Sequence, residues 1–156
     1  MCSSDLALAD CLGARDDTVC RAQAERLRHL PPQTLRGHLT GFVDLVAEHD
    51  GRYHVLDWKS NHLGASVDDY GPDALREAMV HHDYVLQYHL YVVALHRHLR
   101  VRVPDYDPDR HLGSVCYAFL RGLQAGTTQG LFVDRVPTAT VHALDHWLGA
   151  HAESDA

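Results

Sequence analysis

Gly41-Phe42-Val43-Asp44-Leu45-Val46-Ala47-Glu48-His49-Asp50-Gly51-Arg52-Tyr53-His54-Val55-Leu56-Asp57-Trp58-Lys59 carries two largely apolar runs on either side of Asp50-Gly51. Asp-Gly between such runs is a strong hairpin signal, because the favoured two-residue turn needs left-handed backbone at both central positions. With Asp50 and Gly51 as the loop, His49 faces Arg52 and the numbers of facing residues sum to 101, so Asp44 faces Asp57. Directly opposed side chains of an antiparallel pair have Cβ atoms about 4.5–5.5 Å apart. Lys59 shares the face of Asp57, since strand side chains alternate with period two. The sequence therefore places two carboxylates and an ammonium on one face of a hairpin. Like charges in that register repel and call for a cation between them. On this electrostatic argument alone, Asp57→Asn should leave the metal-free chain slightly more stable.

Lys59 is the one lysine among 14 basic residues. Arginine is a rigid, permanently charged fork, whereas lysine is a compact point charge able to approach a water or phosphate oxygen. Paired carboxylates with few other ligands suit Mg²⁺, which keeps several waters and takes a substrate phosphate oxygen. Such an ion polarises a phosphoryl oxygen and lowers the pKa of bound water, and a nearby ammonium offsets charge developing in the transition state. Asp44, Asp57 and Lys59 form a phosphodiester-hydrolysing set on this reading. The bland alternative is a surface hairpin with a weak Asp57–Lys59 salt bridge. Against it, Phe42, Val43, Leu45, Val46, Val55, Leu56 and Trp58 read as a buried central strand pair, where three charges are costly unless they have a function.

Gly-x-x-Asp, a short hairpin, Asp-x-Lys and then Gln87-x-x-x-Tyr91 on a following helix resemble the PD-(D/E)xK nuclease superfamily. Closer still, Leu35-Arg36-Gly37, Gly41 to Val46, Gly51-Arg52-Tyr53, Leu56 to Gly64, Tyr84 to Tyr91, Ala94 to Leu99, Asp105-Tyr106-Asp107 and Tyr117 to Gly122 resemble the C-terminal nuclease domain of the RecB family. The resemblance covers roughly residues 30–150. It implies an α/β, restriction-endonuclease-like fold, with a small mixed central sheet flanked by helices. It implies Mg²⁺ as cofactor, with Mn²⁺ able to substitute. Asp44, Asp57 and the backbone carbonyl of Trp58 match the metal ligands, and Lys59 matches the catalytic lysine. Gln87 and Tyr91 match the helix motif that supports the site and contacts the nucleic-acid backbone. DNA is the implied substrate, in double-strand break repair and recombination in the cytoplasm. The implied partners are RecC-like and RecD-like subunits and the helicase part of the same subunit. A different class of reading is a non-catalytic nuclease-fold module that only docks within a repair complex; it gives no reason to keep Asp44, Asp57 and Lys59 together.

One feature departs from the family. A histidine far upstream of the first aspartate is also a metal ligand there, and the residues before Asp44 are too few to include it. His38 shares the strand face of Asp44, but six strand residues span about 20 Å, and nothing fixes the position of His29. The chain alone is therefore expected to bind Mg²⁺ weakly and to cut poorly. Met1-Cys2-Ser3-Ser4-Asp5-Leu6 looks like a translated sequencing-library adapter, an ordinary frayed terminus being the alternative. The expected division is a truncated or partly artificial segment over 1–30, the nuclease domain over 31–151 and a frayed tail over 152–156.

At 156 residues the chain is long enough for one real core. Its formal charge of −7 argues against tight DNA binding by the isolated domain, since free-standing DNA binders are usually basic. Arg97, Arg100, Arg102, Arg110 and Arg121 are candidates for phosphate contact, each weighed against a solvated surface charge. Cys2, Cys11, Cys20 and Cys116 form no Cys-x-x-Cys pair, and reduced thiols are expected. His82, His89 and His96 fall at seven-residue spacing and read as a polar helix face rather than a zinc site. No run is long and apolar enough to span a membrane.

The remaining elements follow from periodicity and breakers. A short helix is expected over 17–29, ended by Pro31-Pro32. Strands are expected over 37–47 and 52–59, followed by a polar loop from Asn61 to Tyr70. Pro72 suits a first helical position, opening a helix over 73–81. A longer helix over 83–100 should carry Gln87 and Tyr91 on one face and a Leu86, Leu90, Val93 stripe on another. A turn-rich loop over 104–110, strands over 113–120 and 130–133, and a terminal helix over 139–150 complete the pattern.

Overall fold

The computed structural model describes residues 3–30 and 40–153. Its elements in chain order are α1 (Ser3–Gly13), α2 (Thr18–Arg28), β1 (Leu45–His49), β2 (Arg52–Lys59), a 3₁₀ turn (Val67–Tyr70), α3 (Pro72–His81), α4 (Tyr84–Arg102), the short α5 (Pro108–His111), β3 (Leu112–Phe119), β4 (Leu131–Asp134) and α6 (Thr138–Glu153). The four strands lie in the order β1-β2-β3-β4. The outer pairings are antiparallel and β2–β3 is parallel, so α3, α4 and α5 form the crossover that a parallel pair requires. This is the mixed α/β sheet with flanking helices that the sequence leads one to expect.

Asp50 and Gly51 have φ of 50° and 74°, the left-handed pair of a type I′ turn, and Glu48 Oε1 accepts the Gly51 N–H at 2.8 Å. The register follows from the turn: His49 pairs with Arg52 and Leu45 with Leu56. The expected strand over 37–47 does not form as such. Its first three residues lie outside the described ones, residues 40–44 are not strand, and β1 runs later, over Leu45–His49. Nor is the hairpin a buried central pair. β2 is central, but β1 is a sheet edge, and Phe42, Leu45, Val46 and Trp58 are exposed while Val55 is buried. An edge strand has a neighbour on one side only, so its apolar side chains are incompletely covered.

The main core lies between α4 and one sheet face. Val55, Val115, Tyr117 and Phe119 pack with Val85, Tyr88, Val92 and Leu99 of α4 and with Val141 and Leu144 of α6. The expected Leu86, Leu90, Val93 stripe is therefore displaced: of the three only Val93 is buried. Leu86 instead meets a smaller cluster made by Ala9 and Leu12 of α1 with Ala24 and Leu27 of α2. Helix α1 spans a stretch for which the sequence pattern indicates no element. Pro72 opens α3 as expected.

A buried polar network ties the α1–α2 loop to the body. Arg15 grips Asp134 with both terminal nitrogens, at 2.6 and 2.9 Å, and Tyr88 donates its hydroxyl to the same carboxylate at 2.7 Å. Burial pushes the Asp134 carboxyl up, but the Arg15 and Tyr88 hydrogen bonds outweigh it and hold the group below its ordinary value. The polar-face reading of the histidines fails here, because His89 is fully buried and His96 is 4% exposed. A neutral imidazole can be buried when both ring nitrogens are satisfied. His89 Nδ1 donates to the Val85 carbonyl at 2.7 Å, which leaves Nε2 to accept from Arg15 at 3.1 Å.

Burial holds the His89 imidazole down at about 4, against a smaller opposing effect of the Val85 bond. An unfolded chain takes up that proton near the ordinary value of about 6.5. Stability is therefore expected to fall as pH drops from about 6.5 towards about 4, by roughly 3 kcal/mol for this residue. Urea denaturation between pH 7.5 and 4.5 should show a steeper loss for the parent than for His89→Gln. Equal slopes would refute this assignment.

Candidate active site

β2 presents Val55, Asp57 and Lys59 to the side of the sheet covered by α4. Asp57 is buried at 4% exposure, and its Oδ1 lies 2.6 Å from Lys59 Nζ. Lys59 also donates to Gln87 Oε1 at 3.1 Å. The same oxygen accepts the Tyr117 hydroxyl at 2.9 Å, and Tyr117 pairs with Asp57 across β2–β3. The ammonium sits 3.9 Å from the centroid of the Tyr84 ring and 4.9 Å from that of Tyr117.

Asp44 lies one step before β1, in a bend, and is exposed. The register carried one residue past Leu45–Leu56 sets it opposite Asp57. Its Oδ2 accepts the Trp58 N–H at 2.9 Å, taking the place of a strand partner. Tyr91, one helical turn beyond Gln87, donates to the Phe42 carbonyl at 2.7 Å and lies against Gly41, where an added Cβ would come within 3.1 Å of the ring. Burial, then the charges of Asp57 and Asp44, push the Tyr91 phenol up. The Tyr117 phenol is raised by burial and by Asp57 first among its neighbours. Both phenols therefore feel the field of the carboxylates. Asp44, Asp57, Trp58, Lys59, Gln87 and Tyr91 are all brought to one end of the β1–β2 pair.

The donor set fits a hard divalent ion. Asp57 Oδ1 and Asp44 Oδ2 have protein partners, which leaves one oxygen on each carboxylate, and the Trp58 carbonyl is a further oxygen donor. Two carboxylates with one carbonyl are the few, all-oxygen protein ligands that Mg²⁺ tolerates. His29, the alternative extra ligand, turns back on its own helix, with Nδ1 2.8 Å from the Glu25 carbonyl oxygen. His38 lies outside the described residues.

Among the described residues, the one group of three metal-ligating side chains with ligand atoms within 4.8 Å of one another is elsewhere: Asp17, Cys20 and Asp134. Arg15 already fills the place of a cation there, bonded to Asp134 and 3.3 Å from Asp17. Asp17 Oδ1 caps α2 through the Val19 and Cys20 amides, and burial pushes the Cys20 thiol up to about 12. The Arg15 ion pairs and the helix cap give that group a structural role. Cys11, Cys20 and Cys116 are free thiols. The cavity of about 380 Å³ between α4 and α6, lined by His96, Arg100, Tyr106 and His142, also lies away from Asp57.

The profile of the PD-(D/E)XK nuclease superfamily matches residues 8–151. The chain belongs to this superfamily. It is 50% identical over 127 residues to RecBCD enzyme subunit RecB of Mycobacterium tuberculosis, a match covering 76% of this chain and 12% of that protein. It is also 50% identical over 132 residues to the Escherichia coli subunit, covering 82% of this chain and 11% of the other. With the Haemophilus influenzae subunit it shares 42% over 122 residues, covering 75% and 10%. The chain thus spans about a tenth of the length of these curated relatives. Members of the superfamily are generally divalent-metal dependent. No helix among the described residues is long and apolar enough to cross a membrane.

Two residues absent from the sequence-based set belong to the site, Tyr84 and Tyr117. Tyr84 precedes Gln87 by three positions, on the same helix face, and that spacing was the available signal. Tyr117 is reached through the β2–β3 pairing, which has no local sequence signature.

The geometry also reverses one expectation. The cation that offsets Asp57 in the metal-free chain is Lys59 itself. Asp57→Asn should therefore destabilise the metal-free protein, by roughly 3–5 kcal/mol, since removing one partner of a sequestered ion pair strands the other. Urea denaturation in the presence of a chelator checks this, and equal or greater stability of the variant would contradict it.

Proposed function

We propose that this chain is the nuclease module of a RecB-like helicase–nuclease and that it hydrolyses DNA phosphodiesters with Mg²⁺, Mn²⁺ being able to replace it. The observation that carries the reading is the convergence of Asp57, Lys59 and Gln87 on one sheet face, with Asp44 bonded across the hairpin to Trp58. Asp44, Asp57 and the Trp58 carbonyl would hold the metal, which when bound polarises the phosphate and makes water a better nucleophile.

Lys59 is paired with Asp57 and donates to Gln87, which leaves at least one N–H of the three an ammonium carries. That donor orients the attacking water and offsets charge on the phosphoryl oxygens. Gln87 holds the ammonium, and Tyr91 tethers the backbone leading into Asp44 through Phe42. Arg121, whose Nε donates to the Ser60 carbonyl at 3.0 Å, stands beside the site as a phosphate contact for the DNA backbone.

The net charge of −7 supports a module fed by a larger assembly rather than a free-standing DNA binder. By analogy with the relatives, that assembly would contain a helicase part of the same subunit and RecC-like and RecD-like partners, acting in the cytoplasm at DNA ends as an exodeoxyribonuclease.

Cleavage of linear DNA in single-turnover assays with Mg²⁺ tests the proposal. Asp57→Asn should abolish cutting. Lys59→Arg should lose at least about 100-fold, nearly as much as Lys59→Ala, because the planar guanidinium does not fit the slot between Asp57, Gln87 and the two tyrosine rings. Near-parent turnover by Lys59→Arg would show that only charge is needed. No Mg²⁺-dependent cleavage by the parent would favour a non-catalytic docking module.

A further inference from the structure

Lys59 is the one lysine of the chain, and two aromatic faces flank its ammonium. Nζ lies 3.9 Å from the Tyr84 centroid and 4.9 Å from the Tyr117 centroid, both inside the about 6 Å at which a ring face attracts a cation. The rings are tilted by 40° with centroids 5.8 Å apart, so they form a V rather than a stack. Each is pinned at its far end. The Tyr84 hydroxyl donates to Asn61 Oδ1 at 3.1 Å, two residues past Lys59, and the Tyr117 hydroxyl donates to Gln87 Oε1 at 2.9 Å. Tyr117 is fully buried and cannot swing away, while Tyr84 also stacks on His82, with centroids 5.3 Å apart.

We propose that Tyr84 and Tyr117 are positioning residues that clamp the Lys59 ammonium between their ring faces and so aim its remaining N–H at the scissile phosphate. The catalytic value of the clamp rests on the function proposed above; the clamp itself does not. Its physical basis is restraint. A lysine stem has four rotatable bonds, and an ion pair with Asp57 together with one hydrogen bond to Gln87 fixes the head group in direction only in part. Two quadrupolar walls remove the lateral freedom without consuming a donor. Hydroxyl acceptors in their place would consume the N–H that the reaction needs.

Because the chain has one lysine, labelling with [¹³Cε]-lysine gives one reporter at the site. In the parent, the Lys59 ε-protons should be shifted upfield by the ring currents. The shift should persist in Tyr84→Phe and move towards the value of a free lysine in Tyr84→Leu. Single-turnover cleavage should follow the same order: Tyr84→Phe within about threefold of the parent, and Tyr84→Leu slower by roughly 3- to 30-fold, the worth of a partly desolvated cation–π contact, with KM little changed. Tyr84→Met provides a second non-aromatic variant of similar reach should Tyr84→Leu unfold. An unshifted lysine signal in the parent overturns the clamp. So do a Tyr84→Phe protein as slow as Tyr84→Leu, which would make the Asn61 hydrogen bond the operative contact, and a Tyr84→Leu protein with parent turnover. A parent that shows the ring-current shift but never cleaves DNA would sink the proposed function while leaving the clamp standing.

Discussion

Lys59 is a long cationic side chain with 11% of its surface exposed. At such a position an unpaired charge costs several kcal/mol, so everything near it is constrained by the need to satisfy one ammonium. Asp57 supplies the counter-charge, Gln87 a neutral acceptor, and Tyr84 and Tyr117 the ring faces. These four partners come from β2, α4 and β3. The ammonium can be satisfied only if the sheet pairing and the seat of α4 on the sheet are both correct. Local folding and the assembly of the site are thus one requirement.

The crossover topology meets that requirement with few parts. A parallel β2–β3 pair forces the chain out of the sheet and back, and α4 is the long element of that excursion. Packing of Val85, Tyr88, Val92 and Leu99 onto Val55, Val115 and Tyr117 sets the rotation of α4. Gln87 and Tyr91, lying off that apolar stripe, are thereby turned towards Lys59 and the segment before β1. On the far side, Arg15, Asp134, Tyr88 and His89 meet the same demand for purely structural ends. A guanidinium, a carboxylate, a phenol and a neutral imidazole satisfy one another in a largely buried place.

The hairpin register was legible because it depends on two residues, Asp50 and Gly51, whose backbone preferences admit few turns. Given that register, the placement of Asp44, Asp57 and Lys59 is arithmetic. The helix pair Gln87 and Tyr91 was legible by i, i+4 spacing together with the family resemblance. The burial of the hairpin was not, since apolar content does not tell an edge strand from a central one. His89 and His96 were misread because a seven-residue stripe of histidines has the same pattern whether solvated or buried. For His89, what decides is Arg15, far away in the chain, waiting to donate to a ring nitrogen. The sign expected for the Asp57→Asn stability effect changes for a related reason. Repulsion between two facing aspartates is readable from register, but the position of the Lys59 head group depends on rotamers that only the packed site determines.

Asp57 and Asp44 are mounted differently, and that difference has a mechanical meaning. Asp57 belongs to a strand paired within the sheet and is locked to Lys59. Asp44 stands outside the strand, exposed, held by the Trp58 amide and by the Tyr91 tether two residues before it. The pair resembles a vice with one jaw built into the frame and one mounted outside it. On the function proposed above, an ion held between them would meet one carboxylate fixed in the sheet and one carried outside it, and its exchange would ask nothing of the strand pairing. Grip and scaffold strength would then be uncoupled, with the hold on the ion set through the Phe42–Tyr91 tether and the core left as it is.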